Sequence, residues 1–243
     1  GPNLPETVTI NELTTVAASY SMAQFLRTGE ISGAPFGLKI AALMNNNIVD
    51  TATGQSSTVL LSSPNADQTN SLRSTRSLAN LLAASLLDSR VTESLFDYTA
   101  TLAGDRPQNT TEALANLARD PGRHVNAIYE LTLQSDRYEP ALIVRPDAWT
   151  VTIKVNDSGD DSRMIGGPGN IAFDQRGYAW VTNNVFQGTP YSADFNLVFK
   201  PNGLPSDGTD GTPLSPLLGG GQLGAGYGVA IDENDNKVWF GNY

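Results

Sequence analysis

The sequence contains no cysteine, and its 243 residues include a single histidine, His124. The absence of cysteine excludes disulfides, thiolate zinc sites and a cysteine nucleophile. No apolar run approaches the roughly 18 residues that a transmembrane helix needs, so no membrane span is expected. The net charge is −10 and lysine and arginine form no cluster. A nucleic-acid partner is therefore not expected, because binding to phosphates needs a basic surface.

Charged residues are also scarce, at 16% of the chain against 40% hydrophobic residues. Globular proteins have about 25% charged residues, and here Asn, Ser, Thr, Gly and Pro make up the difference. This composition favours a turn-rich secreted or cell-surface protein over a cytosolic helical enzyme. The chain begins with Gly1 and Pro2 instead of methionine, which we interpret as the mark of a processed or excised piece.

Residues 1–140 are predicted to form a helical domain, because apolar side chains recur there at helical spacing. Thr9 with Glu12 three positions later matches a capping box at the first helix. The stretch 56–70 is mostly polar and is predicted to be a loop. The predicted helices are 9–28, 35–49, 71–87, 91–98, 110–120 and 124–133.

Residues 141–243 are predicted to form a β-rich domain. Apolar and polar residues alternate from Asp147 to Val155, as in a half-buried strand, and a glycine-rich segment follows. The fold class predicted from the whole chain is therefore α+β, a helical N-terminal domain followed by antiparallel sheet.

An internal repeat lies within the β-rich region, at residues 169–183 and 227–242. Both copies read apolar–Ala–apolar–Asp, then a short polar turn, then apolar–Trp–apolar–x–Asn. This pattern predicts two β-hairpins, in which Asp174 and Asp232 bond the backbone amides of the turn. The two aspartates are 58 residues apart.

Three further residues of the repeat have predicted structural roles. Gly177 supplies a positive φ in the first turn, and Trp180 and Trp239 are expected to pack between adjacent sheets. A third strand is predicted within 195–203 and a fourth within 212–218. Because the spacing exceeds the roughly 40–50 residues of a propeller blade, we expect an insertion within 184–194 or 204–212.

The repeat resembles the NHL-repeat and streptogramin (virginiamycin B) lyase-like β-propellers of bacterial secreted proteins, over about 80 residues. Segments 8–17 and 118–122 also resemble a region that precedes such propellers in some bacterial surface proteins. Propellers typically have about four to eight blades, whereas residues 166–243 are enough for one or two. The resemblance therefore implies an incomplete propeller, which is either a fragment or completed by further copies.

The resemblance also implies metal-dependent lyase chemistry with a catalytic histidine, but neither hairpin contains a histidine. Asp157, Asp160 and Asp161 form an acidic turn, which is either a solvated turn or a site for Ca²⁺ or Mg²⁺. No nucleophile-elbow, phosphate-loop or zinc-protease motif is present. The sequence thus predicts no catalytic residue and no firm cofactor.

The function favoured by these patterns is a non-catalytic binding or assembly module of a bacterial secreted or cell-surface protein. An open sheet edge readily recruits another strand. The expected partners are therefore the remainder of the same chain or further copies of it. The alternative is a fragment of a metal-dependent propeller lyase or lactone hydrolase, with its active site mostly in absent blades.

Overall fold

The computed structural model describes residues 8–27, 29–185, 189, 193–219, 225–235 and 237–242. The chain divides into two compact units, Gly1–Lys154 and Val155–Tyr243. The first is mainly helical and the second is built from antiparallel strands, which confirms the predicted α+β class. The division falls later than the predicted boundary at residue 140, because residues on the C-terminal side of that point contribute to the core of the helical unit.

The helical unit contains seven helices among its described residues, and six of them lie in or overlap the predicted segments. The first differs most from its prediction: it ends at Ser21, not near residue 28, and Leu26–Arg27 form a short strand. The shortest helix falls in the stretch predicted to be a loop. The helices are α1 (Glu12–Ser21), α2 (Pro35–Ile48), α3 (Thr58–Leu61), α4 (Ser71–Leu87), α5 (Ser89–Tyr98), α6 (Thr110–Arg119) and α7 (Val125–Thr132). Two short hairpins join β1 (Leu26–Arg27) to β2 (Glu30–Ile31) and β3 (Val49–Asp50) to β4 (Gln55–Ser56). None of the described helices is long and apolar enough to cross a membrane.

The first helix begins at a different cap from the one predicted. The side chain of Asn11 accepts a hydrogen bond from the backbone N–H of Thr14 at 2.9 Å, and the Thr14 hydroxyl accepts one from the Asn11 N–H at 2.8 Å. The predicted Thr9–Glu12 pair is therefore wrong. Glu12 is buried instead, and its carboxylate accepts a hydrogen bond from the Tyr138 hydroxyl at 2.6 Å.

Helix α4 lies at the centre of the helical unit and packs against α1, α5 and α7. Serine and alanine occupy many of its buried positions. Larger apolar residues from several elements complete the core, including Leu60, Leu78, Leu81, Leu95, Leu114, Ile128 and Trp149.

The predicted strand from Asp147 to Val155 has the expected alternation but no partner strand within the described residues. Trp149 is fully buried, and Val151 and Ile153 pack partly buried against the same helical core. Alternation reports only which side chains face the core. It does not reveal what satisfies the backbone.

Side chains of the helical unit take the place of a partner strand. Buried Asn65 donates from Nδ2 to the Lys154 carbonyl at 2.7 Å and accepts from the Lys154 N–H at 2.8 Å. The Tyr20 hydroxyl donates to the Trp149 carbonyl at 2.9 Å. The Trp149 N–H donates to the backbone carbonyl of Pro121 at 2.8 Å. Residues 149–154 are therefore held mainly by side chains of the helical unit, not by a partner strand, and this corrects the strand prediction.

The second unit contains a four-stranded antiparallel sheet and a separate two-stranded hairpin. The sheet follows chain order, and its third and fourth strands confirm the positions predicted for them. Its strands are β5 (Pro168–Phe173), β6 (Ala179–Asn183), β7 (Phe195–Phe199) and β8 (Leu217–Leu218). The hairpin pairs β9 (Ala225–Asp232) with β10 (Lys237–Asn242).

Each side of the four-stranded sheet carries its own apolar cluster. We call the side with Tyr178, Trp180 and Val198 the tryptophan face, and the side with Leu197 and Phe199 the phenylalanine face. The tryptophan face packs against one side of the β9–β10 hairpin, through Val229, Ile231, Val238 and Phe240. The phenylalanine face is covered by residues of the same unit, among them Val155, Ile165, Val185 and Ala193.

Candidate interaction surface

The first turn of the repeat is built around the buried carboxylate of Asp174. One carboxylate oxygen accepts hydrogen bonds from the backbone N–H groups of Arg176 and Tyr178, each at 2.9 Å. The other accepts from the indole N–H of Trp180 at 3.2 Å. Gly177 has a φ of +85°, in the left-handed region that favours glycine. The turn thus has the roles that the sequence predicts for its aspartate and glycine.

The second turn is one residue longer but uses the corresponding aspartate. The carboxylate of Asp232 accepts from the backbone N–H groups of Asn234 at 3.1 Å and Asp235 at 3.4 Å. In the strands that follow, Trp239 lies opposite Ala230, as Trp180 lies opposite Ala172. The two copies of the repeat therefore form equivalent hairpins.

The two equivalent tryptophans differ in burial. Trp180 is 6% exposed, and its ring lies 6.4 Å from that of Phe240 in the second hairpin. Trp239 is 63% exposed. The difference arises because the second hairpin covers the first tryptophan, whereas no described element covers the second. The predicted packing between sheets is therefore confirmed for Trp180 and wrong for Trp239 within the described residues.

Small residues surround Trp239 on the exposed side of its hairpin. A Cβ placed on Gly241 would lie 3.2 Å from the backbone nitrogen of Gly228, so the two strands approach closely there. Ala230, directly opposite the tryptophan, is also exposed. The indole ring therefore stands on a surface that offers room for a packed partner.

The outer edge of β10 is a second feature of this surface. In the four-stranded sheet, β6 pairs with β5 on one side and with β7 on the other. The corresponding strand β10 pairs with β9, and no described strand pairs with its other edge. We refer to the exposed side of the hairpin around Trp239, together with this edge of β10, as the open hairpin surface.

In the acidic turn, Asp157 and Asp160 form hydrogen bonds with residues of the same turn. Asp157 accepts from the N–H of Gly159 at 2.8 Å, and Asp160 accepts from the Ser162 hydroxyl at 2.6 Å and N–H at 2.9 Å. The Ser162 hydroxyl, followed by its backbone N–H, lowers the pKa of Asp160 below its usual value. Asp161 is exposed.

These contacts are the ordinary hydrogen bonds of turns formed by aspartate and serine. The described residues contain no group of three or more His, Cys, Asp or Glu side chains that could hold a metal ion. The predicted Ca²⁺ or Mg²⁺ site at Asp157, Asp160 and Asp161 therefore gains no support from the arrangement of these side chains.

The single histidine, His124, precedes α7 with a φ of 49° and lies 5.5 Å from the ring of Tyr98. A cavity of about 870 Å³, open to the solvent, lies near Tyr98 in the helical unit, and its lining includes Arg119 and Arg123. The sequence alone gave no sign of it, because the lining comes from distant segments.

Two of the arginines that line this cavity, Arg119 and Arg123, bond to neighbouring parts of the chain. Arg123 donates to the carbonyl of Ala100 at 2.6 Å, and Arg119 donates to Asn116 at 2.8 Å and to the carbonyls of Ala23 and Leu26. Burial, and then the positive charge of a neighbouring arginine, lower the pKa of Arg119. Both side chains thus hold loops in place, and we assign the cavity no chemistry.

Comparison of the chain with protein-family models, with curated proteins and with solved structures found no match.

Proposed function

We propose that this protein is a non-catalytic binding or assembly module of a secreted or cell-surface protein, and that the open hairpin surface is its interaction site. In this proposal, the sheet β5–β8 is one blade of an incomplete propeller and β9–β10 begins the next. The observation that supports it is the difference between Trp180, which is buried by the following hairpin, and the exposed Trp239.

The proposed occupant is a further β-sheet repeat of the same kind. Within the second unit, the tryptophan face of one repeat packs against the side of the next hairpin that carries Val229 and Phe240. Repeating that step would place an equivalent apolar side on Trp239. Repeat proteins bury their apolar faces in this way, each repeat contacting its neighbours.

A second copy of this chain fits that position less well than an additional repeat. In this chain, the side of the sheet that would have to cover Trp239 is the phenylalanine face, which Val155 and Ile165 help to cover. Presenting it to another molecule would require those residues to be displaced. The geometry of the described repeats therefore favours an added repeat over self-association.

An extended chain can test this proposal. Residues 184–242 follow the first tryptophan strand, so a copy of them added after Asn242 would continue the repeat in register. The added tryptophan is replaced by phenylalanine, and the exposure of Trp239 is followed by ¹⁹F NMR of fluorotryptophan-labelled protein. A Trp239→Phe version of the extended chain assigns the resonance and serves as control.

We expect the Trp239 resonance to lose its sensitivity to solvent isotope and to an added quencher, and to approach the behaviour of Trp180. The extended chain should also unfold at higher denaturant concentration than the original. A folded extension that leaves Trp239 as exposed as before would refute the proposed function.

A further inference from the structure

We propose that the outer edge of β10 binds an extended peptide strand in trans, antiparallel to β10. This inference rests on the proposed function and deepens it, because the peptide takes the position on the open hairpin surface that the β7-like strand of an added repeat would fill. It adds the class of ligand, the pairing register and the preferred charge. Strand addition to a sheet edge is a common mode of peptide recognition, in which backbone hydrogen bonds supply affinity and alternate side chains supply specificity.

The internal repeat identifies which edge of the hairpin is to be filled. In the four-stranded sheet, β5 is an edge strand with no described partner on its outer side, whereas β6 is paired on both sides. The strands β9 and β10 are the counterparts of β5 and β6. Because β9 corresponds to the edge strand β5, its outer edge is expected to stay open. Because β10 corresponds to the central strand β6, its outer edge is expected to pair with another strand.

The pairing of β6 with β7 supplies the register. The observed pairs are Ala179↔Phe199, Trp180↔Val198, Val181↔Leu197 and Thr182↔Asn196. Transferred to β10, the same register places β7-like residues opposite Val238, Trp239, Phe240 and Gly241. The ligand is therefore a strand of alternating side chains. One side carries apolar residues that extend the packed side of the hairpin, and the other carries a β-branched residue beside Trp239.

The β10 edge differs from the β6 edge in charge, because β10 begins with Lys237. Continuing the register by one residue places Lys200 of a β7-like strand opposite Lys237. Like charges directly opposite each other destabilise a strand pair, and opposite charges stabilise it. Lys237 is exposed and forms a surface ion pair with Asp235 at 2.7 Å, which contributes little stability. We therefore infer that the preferred ligand ends in an acidic residue at this position.

The strand β7 of a second copy is not available as this ligand. It lies between β6 and β8 within its own sheet, and its side chains Leu197 and Val198 are fully buried. A free extended segment of another polypeptide meets the requirement without unfolding either partner. This observation selects a peptide strand over a second folded copy as the occupant.

Synthetic peptides can test the inference on the full chain. The probe is Asp194–Lys200, of sequence DFNLVFK, compared with its Lys200→Glu and Leu197→Pro variants. Proline removes a backbone N–H and is poorly tolerated within strands. Hydrogen–deuterium exchange with mass spectrometry follows the amides of β10, with those of β6 as the internal reference because β6 already has two partners.

We expect the Lys200→Glu peptide to slow exchange in β10 and leave β6 unchanged. It should bind about twofold to fivefold more tightly than the unmodified peptide, as expected for an opposite-charge cross-strand pair in place of a like-charge pair. The Leu197→Pro peptide should give no protection. A Lys237→Glu protein should reverse the preference, so that the unmodified peptide with Lys200 binds more tightly.

Three outcomes would overturn the inference. They are equal protection by the proline peptide, charge preference that does not change with Lys237→Glu, and protection of β10 that comes only with dimer formation in light scattering. If the chain extended by residues 184–242 buries Trp239 while no peptide protects β10, the proposed function stands and the strand ligand is rejected. If neither occurs, both fail.

Discussion

Replacing Trp180 with alanine should destabilise the second unit strongly, whereas the same change at Trp239 should have little effect on the chain alone. The two residues occupy the same position in equivalent hairpins, each opposite an alanine. They differ mainly in what covers them. The pair is therefore a matched test of whether packing between repeats stabilises this unit.

The magnitude follows from the area that each ring buries. A tryptophan buries roughly 150–250 Å², and about 25 cal/mol per Å² of apolar surface gives about 4–6 kcal/mol, an upper estimate because unfolded chains are partly compact. Trp180 is 6% exposed and also donates to Asp174, so we expect a loss of about 3–5 kcal/mol, in the range of other Trp→Ala changes. Trp239 is 63% exposed, and surface changes typically stay within about 0.5 kcal/mol.

Urea unfolding followed by circular dichroism and by hydrogen exchange of β5–β8 measures both losses. A loss near 5 kcal/mol is comparable to the whole stability of many domains, so Trp180→Ala could leave the second unit unfolded. Trp180→Phe then serves as the measurable variant, because it keeps an aromatic ring against Phe240 but removes the hydrogen bond to Asp174. Equal losses at Trp180 and Trp239, or a larger loss at Trp239, would refute the reasoning.

Three further predictions concern individual contacts. Asn65→Ala should lower the free energy of unfolding of the helical unit by about 2–4 kcal/mol in urea titrations. The change removes the hydrogen bonds of Asn65 to the N–H and carbonyl of Lys154 and to the buried carbonyl of Val59, at about 1 kcal/mol each, and leaves the Val59 carbonyl without this donor. A loss below about 1 kcal/mol would show that water replaces the side chain. Gly159→Ala should lower the thermal midpoint of unfolding more than Gly104→Ala. Both glycines have positive φ, but only at Gly159 would the new Cβ overlap a backbone oxygen, that of Ser215. Equal shifts of the midpoint would contradict the steric argument. Burial raises the pKa of Tyr20, so the stability that its neutral form contributes to the helical unit is fully present below the pKa of about 10 that tyrosine has in the unfolded chain, and is lost as the pH rises above that value. Circular dichroism as a function of pH measures this loss. Tyr20→Phe should shift alkaline unfolding to higher pH.

Local sequence signals were sufficient to predict most of the helices and the two hairpins of the repeat. Proline at the start of α2 is compatible with a first helical turn, where its missing N–H costs nothing, and the helix begins at Pro35 as predicted. The turn between β5 and β6 was predictable from Asp174 and Gly177, because the residue that bonds the turn amides and the residue that takes positive φ are both local. These features depend on contacts within a few residues.

Other features were mispredicted because several local solutions compete. Thr9 and Asn11 are both acceptable N-cap residues, and the helix begins after Asn11, whose side-chain amide also donates to the carbonyl of Gly54 at 2.8 Å. The segment ending at Lys154 has the alternation of a strand, but its backbone bonds to Asn65, which lies far away in sequence. No local pattern distinguishes a partner strand from a distant amide side chain.

The repeat shows most clearly what each level of structure decides. The amino-acid sequence is enough to predict that Trp180 and Trp239 lie at equivalent positions of two hairpins, because apolar residues, aspartate and tryptophan follow the same order in both copies, with one extra residue in the second turn. That one ring is buried and the other exposed follows from tertiary packing. Burial depends on which surface lies against the ring. That surface comes from a different hairpin, so the residues of the ring's own strand do not predict it.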